Sequence, residues 1–428
     1  MNRKSQLFRP LNYHGRSAEQ RSGAILIKSA LMLPVILVFC SFIVDLGYIL
    51  VVNAELQNSA DSAALAAANQ VLDDRVVFIR NNPTFFQKNP ITGEVIYGTL
   101  PSDFYNNARQ TAATFANLNK AGRVALAIDP NTNNSASGDL VFGRYVGPNQ
   151  PLDLTNPIMY NAVQVKVRRD DQLNGSFNLF FAKLIGLETH SSTATAQASF
   201  MDAITGFSTP PDGQNSSILP FAISRTAWEA LIAKWKLGTG GQDSYSADPD
   251  SAGSDSISNG GDGIPEINLL GGGTSGNVVG GVGHVQITPG NWGTVNIGTS
   301  NNSTSHLRDV IRNGPSANDF DFHGGQLSVD DGPFQISGDP GMPTGADAAL
   351  QAIIGQRRTI LIYDQVTGNG NNTSFRIVDF APIRLLNVQL QGNSKGITVQ
   401  PDFVNDGGAQ GGGSNPNYSL TAPPGLTL

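Results

Sequence analysis

The residues of this chain best suited to hold an ion lie in one acidic stretch, from Asp243 to Glu266. Taking Asp255 as the first position of an EF-type calcium loop puts Asn259 at the fifth, Gly260 at the sixth and Glu266 at the twelfth, with Asp262 between as a further oxygen donor. Ile257 stands where the third ligand should be, so the stretch is not an EF-hand. Calcium at extracellular concentration needs only a weak oxygen cage. Asp255, Asn259, Asp262 and Glu266 are therefore carried forward as a candidate Ca²⁺ site, beside the plainer reading of a flexible acidic loop.

Catalytic constellations are thin. Outside the basic N-terminal segment the histidines are His190, His284, His306 and His323, and none stands in an HExxH or nucleophile-elbow context. The glycines of Gly271 to Gly283 lack the lysine and the strand-to-helix frame of a phosphate loop. Asp319-Phe320-Asp321-Phe322-His323, read as a strand, would set two carboxylates and an imidazole on one face, because alternate residues share a side. The competing reading is a solvated polar edge. No catalytic residue and no cofactor are assigned.

These residues must be held by elements, and the first is a membrane helix. Ala24 to Val44 is an apolar run that as a helix would span about 31 Å, the thickness of a hydrocarbon core. Cleaved signal peptides have shorter apolar regions ending in a small-x-small site, whereas here Asp45-Leu46-Gly47-Tyr48 leads into more helix-compatible sequence. Residues 1–28 hold Arg3, Lys4, Arg9, Arg16, Arg21 and Lys28 against Glu19, a balance of +5; with the chain at −7, the remainder carries −12. That asymmetry orients the N-terminus toward the cytoplasm and exports the rest. An acidic body without a basic stripe excludes nucleic acid as a partner, since phosphate neutralisation needs clustered Lys and Arg. Cys40 is the single cysteine, so no intramolecular disulfide forms.

The helix is expected to continue past the membrane. Ile49, Val52, Leu56, Ala60, Ala63, Ala67 and Val71 recur at spacings of three and four. The alanine-rich lower half favours helix and allows close approach of a neighbour. Two readings stay open: packing on the chain's own first exported domain, or packing between subunits of an assembly.

Arg21-Ser22-Gly23-Ala24, the apolar run with Pro34, Val44-Asp45-Leu46-Gly47 and Ala54-Glu55-Leu56-Gln57-Asn58-Ser59-Ala60-Asp61-Ser62-Ala63-Ala64-Leu65-Ala66 resemble the N-terminal signature of TadG-like proteins of the bacterial tight-adherence (Tad, or Flp) pilus machinery. Asn161 to Arg168, Leu179 to Leu184 and Thr193 to Ala196 are similar to a strand, short helix and strand of the same family's exported region. The resemblance implies a structural or assembly component of a Tad-type pilus, anchored in the inner membrane, with other Tad assembly proteins and the bilayer as partners. A membrane-anchored adhesin and a membrane-tethered hydrolase are the alternatives. Pilin-like subunits are cut after a glycine with a glutamate five residues on; Gly23 is followed at that position by Lys28, so residues 1–23 are expected to be retained. The Asp-x-Ser-x-Ser triplet of a von Willebrand A metal site is missing from the sequence.

The expected fold is a membrane-anchored α+β protein. The divisions are a basic tail at 1–23, the transmembrane helix and its extension at 24–72, a small α+β domain at 73–205, a linker at 206–216, a mostly β domain with short helices at 217–403, and a disordered tail at 404–428. Glycine marks the seam, with nine in residues 45–205 against 37 in 206–428. In the first domain Ser102 could cap a helix whose Phe104, Ala108, Ala112, Phe115 and Leu118 share a face, and Val163, Val165 and Val167 alternate as in a strand. In the second, Thr226-x-x-Glu229 reads as a capping box, Ile360 to Tyr363, Phe375 to Phe380 and Ile383 to Leu390 as strands, and His306 to Asn313 and Ala346 to Ile354 as helices.

Overall fold

The structure is a computed structural model that describes residues 19–83, 86–88, 95–238, 241–269, 293–299, 303–340, 344–368, 372–391, 396–411 and 419–427. Most of the basic tail, His284, the glycine run Gly271 to Gly283 and part of the glycine-rich tail lie outside the described residues.

One helix, α1 (Glu19–Asn81), runs through both the apolar segment and its extension. It changes character at Asp45. From Ile25 to Val44 every residue except Ser41 is exposed, and beyond it Val52, Leu56, Ala60, Ala63, Ala64, Ala67 and Ala68 are fully buried. The alanine stripe is thus consumed inside the chain. It packs on α2 (Asn106–Leu118) and on an antiparallel sheet in which Leu140–Gly143, Ala162–Arg169 and Ser192–Ser199 lie side by side. Val163, Val165 and Val167 face this core, as their alternation predicted.

The face of α2 differs from expectation. Ala108, Arg109, Ala112 and Ala116 turn inward, while Phe115 and Leu118 are exposed. The reason is the alanine stripe. Two helices brought together through alanines approach closely, and the positions between them have no room for a phenylalanine. Ser59 at the contact donates its hydroxyl to the Ala116 carbonyl at 3.3 Å.

The second unit is mostly β, with short helices. A mixed sheet runs in the order Ile267–Asn268, Gly396–Pro401, Thr373–Gln389, Phe334–Pro340, Gly293–Val295, Ile218–Ser224, Arg357–Thr367. The last strand pairs again with Thr373–Gln389, so five strands close into a ring. Alternation gives this sheet two cores. Leu219, Phe221, Ile223, Ile360 and Ile362 join one cluster under the helices α3 (Arg225–Leu237), α4 (Thr304–Asn313) and the short Asp347–Gln351; Ile218, Ala222, Leu361 and Tyr363 join the other. The cap of α3 is Ser224, which accepts from the Ala227 amide at 3.2 Å, two residues before the expected capping box.

Two boundaries are corrected. The seam expected to be a linker begins inside a strand, Ile204–Ser208, that pairs with Gln326–Ser328 and Ala409–Gly411 and buries Phe207. The tail expected to be disordered contributes strands at Val404–Asn405, Ala409–Gly411, Leu420–Thr421 and Gly425–Leu426. The last pairs with Ser199 and Ala198, so the chain returns to the first unit. Each of these strands is short, and Ala409–Gly411 and Gly425–Leu426 are completed by partners before residue 209, which local glycine content does not reveal.

Candidate functional site

Three places collect the residues singled out by sequence. The most built of them is the junction where α1 leaves its exposed apolar segment. Asp45 is 3% exposed, and its carboxylate accepts the backbone amides of Phe180 at 2.6 Å, Phe181 at 2.9 Å and Ala182 at 2.6 Å. Those amides open a single turn of 3-10 helix, Ala182–Ile185, closed by Gly186 in the left-handed region, so Asp45 caps it from another element. Burial pushes the Asp45 carboxyl up, but the three amides outweigh it and hold the group below the usual carboxylate range. One turn on, the Tyr48 ring meets Phe177 and Phe180 edge-on at 5.6 and 5.1 Å.

The contacts climb α1 in order. Asn53 accepts the Ser192 hydroxyl, Glu55 accepts the Gly122 amide at 2.7 Å, and Gln57 donates to the Thr195 carbonyl. Gly122 has φ +56, and a Cβ there would lie about 3 Å from Arg169 and the Tyr48 hydroxyl, so glycine is required on both counts. Higher still, buried Arg75 pairs with buried Asp202 at 2.9 Å, also donates to the Tyr160 carbonyl, and lies over the Phe200 ring. At the top, Ile79 meets Trp235, Ile264 and Phe403 of the second unit, and Arg80 reaches Asp402 at 3.4 Å. Asp45, Glu55 and Gln57 of the N-terminal signature therefore help to fasten the helix to its domain, together with Tyr48, Asn53 and Arg75 outside it. The spacing of the alanines signalled the packing; no local pattern signalled the partners of Asp45 and Glu55.

The acidic stretch is folded rather than loose. Tyr245–Ala247 pairs with Ile257–Asn259, placing Asn259 opposite Tyr245. Glu266 is buried and accepts the amides of Ser244 and Tyr245 at 2.7 and 2.6 Å, its other oxygen having no hydrogen bond among the described residues. Asp262 accepts from Ala247, Ile264 and Gln400, while Asp243 accepts the amides of Asp262 and Gly263. Asp255 accepts the Ser254 hydroxyl at 3.5 Å and shares no hydrogen bond with Asn259, Asp262 or Glu266 among the described residues. Among the described residues no group of three His, Cys, Asp or Glu side chains has the arrangement of a metal site. Burial, and then the charges of Asp243 and Asp262, push the Glu266 carboxyl up despite its two amide donors. The guanidinium of Arg384, 1% exposed, holds this stretch to the sheet by donating to the carbonyls of Asp248 and Ser251, both at 2.6 Å, and to the Ser256 hydroxyl. Sequence reasoning missed Arg384, whose signal was an arginine inside the apolar run Ile383 to Leu390.

The third place is Asp319 to His323. The stretch is a short helix, Ala317–Phe322, and not a strand, because Ser316 and Asp319 form a reciprocal capping box: the Asp319 carboxylate accepts both the amide and the hydroxyl of Ser316 at 2.7 Å. The helix sends Asp319 and His323 to the same place and Asp321 elsewhere. His306 Nε2 lies 2.8 Å from the Ile297 carbonyl and 3.5 Å from Asp319, and His323 Nε2 accepts the Gly298 amide at 3.1 Å. Two imidazoles and a carboxylate do converge, yet each faces backbone at Ile297 and Gly298, so the group pins a turn. Burial holds the His323 imidazole below its ordinary pKa, against the pull of the Asn296 backbone and Asp319.

An exposed apolar rod that becomes, past one buried aspartate, the central core element of a folded body defines a protein built on its N-terminal helix. Residues 23–70 match the family described as Flp pilus-assembly TadE/G-like, and residues 98–198 match the family described as Tad-like Flp pilus-assembly. No curated protein and no solved structure matches the chain. Both matches are to families of Flp pilus assembly, and together they support a TadG-like protein with a structural or assembly role in the Tad pilus machinery. The matches cover most of the helix and most of the first unit; the last turns of α1 and the closed β unit lie outside both.

Proposed function

We propose that α1 anchors this pilus-assembly component in the bacterial inner membrane, with the N-terminal residues cytoplasmic and both units on the exported side, where they dock other Tad assembly proteins. The observation that carries this reading is the run Ile25 to Val44, twenty residues apolar enough to cross a bilayer and turned outward around the whole helix. Lys28 sits near the proposed cytoplasmic end, where its ammonium reaches the headgroups. The acidic body and basic N-terminal segment fit the same orientation. The domain order follows: a spanning helix, a first unit built on its extension, and a second β unit fixed to the helix top.

Protease added to spheroplasts is expected to digest the units beyond Asp45 and spare the N-terminal residues. Protection of the second unit would overturn the topology. Because Lys28 replaces the carboxylate a prepilin peptidase requires, the same preparation should show by intact mass that residues 1–23 remain; a new N-terminus at Ala24 would overturn that part.

A further inference from the structure

Asp45 fastens α1 to a segment whose side chains face away from the protein. Between Phe180 and Leu187, Phe180, Phe181, Leu184, Ile185 and Leu187 are all exposed, Leu184 by 81%, and Ala182 alone is buried. Five large apolar side chains within eight residues exceed the scattered exposure of an ordinary surface.

The position of this segment follows from the contacts along α1. Thr195 meets Gln57, Ser192 meets Asn53, Phe177 meets Tyr48, and Phe180 to Ala182 meet Asp45. The hairpin formed by Phe177–Asn178 and Thr189–His190 therefore descends the helix toward its N-terminus, and its tip is the part of the first unit nearest the apolar rod. On α1 itself Leu46, Leu50 and Val51 stay exposed past Asp45, on the length the hairpin runs beside. Lys183, at the tip, is close enough to lower the Asp45 carboxyl through its charge.

We propose that the Phe180 to Leu187 tip is a second membrane contact, seated in the headgroup and upper acyl layer of the leaflet from which α1 emerges, with Lys183 facing anionic lipid phosphates. The inference rests on the spanning reading of α1. The occupant is lipid because the patch is continuous with the apolar surface of the rod, carries a cation beside its apolar side chains, and lies at the level where the proposed span ends. Asp45 then has a specific task. It turns the backbone polar groups of the tip inward, satisfying three amides that would otherwise meet the bilayer unpaired.

The test uses the full chain with Cys40→Ser, reconstituted in vesicles of phosphatidylethanolamine and phosphatidylglycerol. An environment-sensitive fluorophore is placed by Leu184→Cys, by Val38→Cys within the span, or by Val146→Cys, whose neighbour Tyr145 bonds Asn161 at the Arg75 end of the unit, about 45 Å along the helix from Asp45. Quenching by lipids spin-labelled on the upper acyl chain is expected at Leu184, as a several-fold loss over Val146, and by deeper labels at Val38. Quenching at Val38 with none at Leu184 would overturn the proposal and leave the span intact. A Leu184 probe open to aqueous iodide in vesicles, and shielded only when Tad partner proteins are added, would overturn it in favour of a protein-binding tip. An unquenched probe at Val38 would overturn the spanning reading instead.

Discussion

Ala63→Glu tests whether the alanine stripe of α1 is core. Ala63 is fully buried in the apolar core that α1 shares with α2 and the first sheet. Two costs can be worked out. A glutamate kept neutral at pH 7 from an ordinary pKa of about 4.3 costs about 3.7 kcal/mol, at about 1.36 kcal/mol per unit. Forcing its atoms between close-packed helices adds about 1–3 kcal/mol. The sum, about 5–7 kcal/mol, rivals the entire stability of a typical domain at about 5–15 kcal/mol. The full chain in detergent micelles, followed by near-UV circular dichroism and trypsin sensitivity on heating, should show the first unit melting by at least about 10 °C earlier or failing to fold. Ala54→Glu, on the exposed face of the same helix, should change stability by no more than about 0.5 kcal/mol. An unchanged melt for Ala63→Glu together with lost crosslinking to partner pilus proteins would refute the reasoning and return the stripe to subunit contacts.

Two further outcomes follow from titrating groups. The imidazole of His323 is held below its ordinary pKa, so the unfolded chain takes up the proton first; its stabilising effect is whole above about pH 6.5 and is lost as pH falls from there through the lowered folded value. Urea midpoints between pH 7.5 and 5.5 should drop more steeply for the native chain than for His323→Gln, and equal slopes would remove the effect. Glu266 has the opposite sign. Its folded pKa is raised, so at neutral pH its charge opposes folding, and the penalty fades as pH falls through the raised value toward the ordinary one. Glu266→Gln keeps an oxygen for the Ser244 and Tyr245 amides and should raise the melting temperature at pH 7. Added calcium should leave the native melt unmoved; a rise of several degrees that Glu266→Gln abolishes would establish the cation site expected around Asp255, Asn259, Asp262 and Glu266.

What sequence disclosed depended on whether the signal was periodic or relational. The continuation of α1 beyond its apolar segment, its alanine stripe and the alternating Val163, Val165 and Val167 each repeat with the period of their element, and each is where the pattern puts it. Phe115 and Leu118 misled because size suggested burial, whereas the apolar positions of α2 that turn inward are the alanines Ala108, Ala112 and Ala116. Asp319 to His323 misled because apolar and polar residues alternate there, while the cap at Ser316, spaced three before Asp319, was the better guide. Asp45 was legible as a signature residue but its job was not, since its partners lie 135 to 137 residues away. The strands after residue 404 were hidden for the same reason.

The arrangement makes the exposed apolar segment and the folded body parts of one continuous helix. Residues from Val52 to Leu72 of α1 supply one wall of the first core, so that unit cannot close before the helix is present, and the same helix continues without interruption into the apolar segment. A tether joined by a flexible linker would leave the body free to turn at the surface. Here rotation would have to break the three amide bonds to Asp45, the Glu55 clasp on Gly122 and the buried Arg75–Asp202 pair together. At the far end Ile79 and Arg80 tie the second unit to the same rod through Phe403 and Asp402. Asp402 meets Arg357 and Arg384 as well, so the arginine that pins the acidic stretch also neighbours the residue that receives the helix. The β unit is therefore joined to α1 through packed side chains and ion pairs rather than through a flexible linker.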